Sequence, residues 1–161
     1  MKYEYNFAAP VVLGMHDALV SLIGLIAGMT FAFADAQMII LTAIIASVTA
    51  GLSMGASCYL AERQNESPHA TKACICTGGA YIITCILLII PFFLIKNTYN
   101  ALGLTFIIAV LIILLFNIFT TRLKKQSFSK HFWEMLIICA TVSTIAFLIG
   151  NGAKYFFNIS F

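Results

Sequence analysis

Charged side chains fall in clumps along this chain, and the stretches between the clumps are apolar. Uncharged runs cover residues 36–61, 73–95, 97–121 and 135–153. A fifth stretch, 5–34, carries one formal charge, at Asp17. Each run approaches or exceeds the roughly 20 residues that a helix needs to cross about 30 Å of hydrocarbon. No water is available there to satisfy a backbone amide, so each segment must bond within itself as a helix. Barrel strands would be much shorter and apolar only at alternate positions. The pattern therefore predicts an all-α membrane protein with five transmembrane helices, near residues 10–33, 38–60, 74–95, 101–119 and 135–155.

The segments between the runs agree. Residues 33–37 read as a tight turn and 96–100 as another. The polar stretch 62–72 contains Pro68 and reads as a short loop that at most extends the second helix. Residues 120–134 form the longest and most basic polar segment, suited to anionic headgroups. None has room for a soluble domain, so residues 1–161 are expected to form a single five-helix domain. Lys2, Arg63, Lys72, Arg122, Lys124, Lys125 and Lys130 share one side of a five-span chain, whereas Lys96 and Lys154 lie on the other. That asymmetry predicts a cytoplasmic N-terminus and an outside C-terminus. The first apolar stretch is too long, and its Lys2 flank too weak, for a cleaved signal peptide.

Composition narrows the function. Of 161 residues, 61% are hydrophobic and 9% charged, where a soluble domain needs about a quarter charged. The net charge of +3 comes without a basic stripe, so the expected partner is the lipid bilayer and not nucleic acid. The five cysteines are scattered over the spans and imply no disulfide framework. No nucleotide-binding glycine loop, catalytic triad or zinc-enzyme spacing occurs, so neither an enzyme nor a permanently bound cofactor is expected.

Asp17 is the residue that asks for a functional explanation. An aspartate near the centre of a membrane helix costs about 2.5–3.5 kcal/mol, so it should face protein or a water-filled cavity and mark an ion or proton path. With a helix starting at Pro10, Asp17 lies about 10 Å below the cytoplasmic end. Its face continues through Ser21, Gly24 and Gly28, the last two at a spacing that lets another helix approach closely. On the second helix Met54 lies about 10 Å from the cytoplasmic end at Ala61, so an antiparallel hairpin brings Asp17 and Met54 to one level. The Met54 face also carries Ser47, Ala50, Gly51 and Cys58, and continues to Glu62 and Glu66; Gly55, like Gly51, is expected to serve helix packing. A carboxylate, a thioether and a thiol together suit late first-row divalent metals better than Ca²⁺ or Mg²⁺. The competing readings are that methionine fills gaps between helices and that cysteine acts as a small apolar residue.

These residues resemble a known family. Gly14-Met15-His16-Asp17-Ala18-Leu19-Val20-Ser21 is similar to the Gly-x-Asn-Asp-Gly-Leu-Val-Ser string of the vacuolar iron transporter family, followed by its Gly-Leu-x-x-Gly segment at Gly24-Leu25-Ile26-Ala27-Gly28. Ala50-Gly51-Leu52-Ser53-Met54-Gly55-Ala56-Ser57-Cys58-Tyr59 resembles the family's Ala-Gly-x-x-Ser-Met-Ala-x-Gly-Glu-Tyr string. Pro91-Phe92-Phe93 and Phe147-Leu148-Ile149-Gly150 also fit. The resemblance implies a five-helix fold that dimerises through its first and second helices and exports Fe²⁺ or Mn²⁺ from the cytosol, typically in exchange for protons. It assigns Asp17 and Met54 to the translocation path.

Three departures accompany it. His16 and Ala18 replace the family's asparagine and glycine beside the aspartate. Cys58 replaces the glutamate of the second-helix string, with Glu62 one turn further on as a stand-in ligand. The acidic cytosolic metal-binding domain of eukaryotic members is missing between the second and third spans. That absence, with the absence of a transit peptide, favours a prokaryotic cytoplasmic membrane. His16 reads equally as a ligand or proton relay beside Asp17 and as a side chain turned to the headgroups; Glu66 reads as an approach to the site. Cys74 and Cys76 could bind a soft metal, but two helical residues so spaced point about 200° apart and cannot clamp one ion. Two rival classes stand beside transport: a non-transporting scaffold or partner subunit, and a membrane thiol redox protein using Cys74, Cys76 or Cys85.

Overall fold

The computed structural model describes residues 7–33, 35–124 and 128–156, with side chains outside 119–131, 151 and 153–156. Five helices follow one another: α1 (Ala8–Ala32), α2 (Ala36–Gln64), α3 (Ala70–Leu94), α4 (Thr98–Lys124) and α5 (Phe128–Phe156). Each is long and apolar enough to cross a membrane, and no strand occurs among the described residues.

Local chemistry sets the boundaries. Pro10 sits in the first turn of α1, where its missing N–H leaves no helical bond unmade. The Asp35 carboxylate accepts the amides of Gln37 (2.8 Å) and Met38 (3.4 Å), capping α2 and making the α1–α2 turn very short. Asn97 does the same for α4, accepting from Tyr99 (3.0 Å) and Asn100 (3.2 Å). Between α2 and α3 the chain reverses at Glu66, whose φ of 53° is left-handed. Pro91 lies in the last turn of α3, and Thr105 of α4 donates to the Leu88 carbonyl (3.1 Å) beside it. The turn at Asp35 marks one end of the bundle and the turn at Glu66 the other.

The helices overrun the predicted spans, most clearly in the basic segment. Residues 120–134, expected as a linker, are helical up to Lys124 and again from Phe128. Charge does not stop a helix at a membrane surface, because the backbone stays bonded while long basic side chains reach for water. Residues 125–127 lie outside the described residues.

α1 and α3 occupy the middle of the bundle, with Leu19, Leu22, Ile23 and Ile26 of α1 and Tyr81, Cys85 and Leu88 of α3 buried between them. A Cβ on Gly14 would run into the Thr77 carbonyl, so α1 and α3 meet backbone to backbone at that level. α2 makes its main seam with α3 and a smaller one with α1, so the antiparallel α1–α2 neighbours do touch but are not the main pair. Gly51 and Gly55 form that seam against Tyr81, Ile82, Cys74 and Gly78. α5 lies along α1, where Gly24 and Gly28 meet Val142, Ala146 and Gly150; the small-residue stripe of α1 is therefore filled from within the same chain. Asn117 of α4 reaches α5, its amide donating to Met135 sulfur (3.5 Å) and to the Ile113 carbonyl (3.2 Å).

Candidate functional site

The α1 turn from Gly14 to Ser21 carries the intramembrane acid. Close contact of Gly14 with α3 presses this turn onto α3, leaving Asp17 half-buried. The Ser21 hydroxyl donates to the Asp17 main-chain oxygen (2.7 Å) and pairs with the Tyr81 hydroxyl of α3 (2.9 Å). Because Ser21 commits its proton to that carbonyl, Tyr81 is the donor to Ser21. The buried Cys85 thiol, one turn further along α3, interacts electrostatically with Tyr81 and with Ser47 of α2, and the Ser47 hydroxyl donates to the Ala43 carbonyl (2.6 Å). Asp17 is close enough to influence Tyr81 and Cys85 electrostatically. The result is a polar string that joins α1, α3 and α2 through otherwise apolar packing.

Depth can be counted at about 1.5 Å per residue from the Glu66 end of each helix: Asp17 lies about 14 Å in, Met54 about 15 Å and Tyr81 about 16 Å. Both α1 and α2 extend further toward the Glu66 end than the sequence suggested. Met54 is half-buried on the flank of α2 beside its seam with α3. Cys58, on the same flank, accepts a hydrogen bond from Thr77 of α3 (3.2 Å). Glu62 is half-buried and Glu66 exposed, so the face runs from Met54 out to the bundle end. His16 is half-buried next to Asp17 and feels the charges of both Asp17 and Glu134 of α5.

The structure therefore gathers Asp17 with Ser21, Tyr81, Cys85 and Ser47, and places Met54 and Cys58 on the neighbouring face of α2. Among the described residues, no three His, Cys, Asp or Glu side chains converge on a point where a metal ion could sit. Cys58, Cys74, Cys76, Cys85 and Cys139 are all free thiols. Sequence reasoning missed Tyr81. Its signal was a lone phenol within the uncharged run 73–95, since a buried tyrosine hydroxyl needs a partner.

Residues 9–69 match the model of the VIT family. The match covers α1, α2 and the turn into α3, less than half of the chain. It contains Asp17, Met54, Cys58, Glu62 and Glu66. No curated protein matches the chain. The VIT family match points to membrane metal-ion transport and away from catalysis, and the five apolar spans make the protein a multi-pass integral membrane protein.

Proposed function

We propose that this protein exports a divalent transition metal, Fe²⁺ or Mn²⁺, from the cytosol by proton antiport. What supports the reading is that the intramembrane acid Asp17 and the thioether of Met54 both lie inside the segment that matches the VIT family model. Metal approaches past Glu66, Glu62 and Cys58. The ionised Asp17 carboxylate supplies charge, and the Met54 thioether a soft bond that favours a late first-row ion over Mg²⁺. His16 relays protons or adds a ligand. Protons arriving from outside neutralise Asp17 and discourage the metal's return.

Among the described residues of one chain, no three His, Cys, Asp or Glu side chains converge to hold a cation. The proposal therefore includes a homodimer through α1 and α2, in which a second copy supplies the remaining ligands. The exposed outer face of α2, including Thr49, Ser53, Ala56 and Ser57, leaves room for that contact. The expected home is a prokaryotic cytoplasmic membrane, with the Glu66 end in the cytosol.

The test is metal uptake into proteoliposomes, comparing Fe²⁺, Mn²⁺, Zn²⁺ and Co²⁺ with and without a pH gradient. Asp17→Ala is expected to lower the initial rate at least about tenfold, the loss that follows from removing one interaction of about 1.4 kcal/mol or more in the rate-limiting state. Flux that ignores both the substitution and the gradient would defeat the proposal.

A further inference from the structure

Tyr81 is among the largest fully enclosed side chains, 2% exposed, where α1, α2 and α3 meet. Backbones crowd it from two sides. A Cβ on Gly51 would lie 3.3 Å from Tyr81 Cδ1 and 2.7 Å from Ile82 Cγ1, and one on Gly14 would lie 3.1 Å from the Tyr81 amide. The hydroxyl reaches across to Ser21 (2.9 Å), and Cys85 continues the line toward Ser47. Counted from the Glu66 end, Tyr81 lies about 16 Å deep, Ser21 about 20 Å, Cys85 about 22 Å and Ser47 about 26 Å. The Tyr81 ring meets Gly51, about one turn from Met54 toward the Asp35 end, and its hydroxyl meets Ser21, one turn from Asp17 in the same direction.

We infer that Tyr81 is a positioning residue that seals the transport route: latched to Ser21, it closes the α1–α2–α3 junction between the Asp17–Met54 level and the Asp35 half of the bundle. The inference rests on the transport reading above. A route open at both ends at once would leak, so a carrier needs a barrier beside its site. The Tyr81 ring supplies bulk, and its hydroxyl supplies a bond between two helices that must part when the site turns toward the Asp35 side. One neutral hydrogen bond is weak enough to break in every cycle, and its loss shifts a closed-to-open equilibrium by about two- to tenfold. Cys85, 0% exposed and just beyond the ring, is a built-in reporter of that opening.

The experiment uses the full chain in proteoliposomes, with a membrane-impermeant charged thiosulfonate added on the Asp35 side and labelling read peptide by peptide. In the unaltered protein Cys85 is expected to react slowly. Tyr81→Phe keeps the ring and removes the latch, and Ser21→Ala removes the acceptor while leaving Tyr81 whole. Both are expected to raise the Cys85 labelling rate about two- to tenfold from the Asp35 side, with Cys139 on α5 unchanged. Equal rises at Cys85 and Cys139 would mean general loosening and would overturn the seal, as would unchanged Cys85 labelling in both variants. Metal flux is measured in parallel. A protein that carries no metal but shows the selective Cys85 response loses the transport reading and the seal with it, leaving only a Tyr81–Ser21 latch between helices; normal flux without that response overturns the seal alone.

Discussion

A carboxylate inside a membrane helix is stabilised only by what it meets there, and Asp17 has His16 beside it on α1 and lies within electrostatic reach of Tyr81 and Cys85 of α3. Met54, half-buried on α2, contributes polarisability without charge. Met54→Leu conserves volume and should cost less than about 1.5 kcal/mol of stability, so any change in transport reflects the sulfur. We expect Mn²⁺ uptake to fall severalfold and inhibition by excess Mg²⁺ to strengthen, read from initial rates at fixed Mn²⁺ with rising Mg²⁺. Unchanged competition would remove Met54 from the site. Asp17 was legible in the sequence because it is the one formal charge in residues 5–34. Tyr81 was not, because its meaning depends on Ser21, which lies 60 positions away in the chain.

Helix boundaries followed from capping groups and from the tolerance of membrane helices for charged ends, and the seams from where small residues let backbones touch. Two glycines on adjacent helices separate the effects. Gly14→Ala forces a methyl against the Thr77 carbonyl, a rigid backbone atom, and should destabilise the bundle by about 1–3 kcal/mol. Gly79 of α3 has nothing within 4 Å of an added Cβ, so Gly79→Ala should be neutral or stabilise by about 0.5–1 kcal/mol through reduced backbone freedom. Thermal unfolding of the two variants in one detergent checks the pair, with Gly14→Ala expected to unfold at the lower temperature. The small-residue spacing at Gly24 and Gly28 announced a close helix contact, but not that α5, far along the chain, would make it. Spacing encodes how near a partner can come and carries no information on which partner comes.

At the scale of the whole molecule, α2 is the open flank. Its buried stripe of Ile39, Ala43, Ser47, Gly51 and Gly55 is narrow, while Leu41, Ile45, Val48 and Leu52 face outward. If two copies meet through α1 and α2, a bulky residue on the small outer stripe should keep them apart. Ser53→Trp is expected to convert the dimer to a monomer in detergent, measured by light scattering, and to lower metal flux with it. An unaltered mass would place the contact elsewhere or remove it.

The amino-acid sequence alone determined that the chain spans a membrane five times, that its turns are short and that an acid lies inside the first span. Those properties follow from transfer free energy and helical rise, both of which act along one segment at a time. Only the tertiary structure decided that α3 is the main partner of α2 and also packs on α1, that α5 meets the glycine stripe of α1 and that Tyr81 is buried where α1, α2 and α3 meet. Such choices turn on side-chain shape between segments distant in sequence. In a bilayer every apolar face is equally content against lipid, so hydrophobicity names the spans and packing alone names their neighbours.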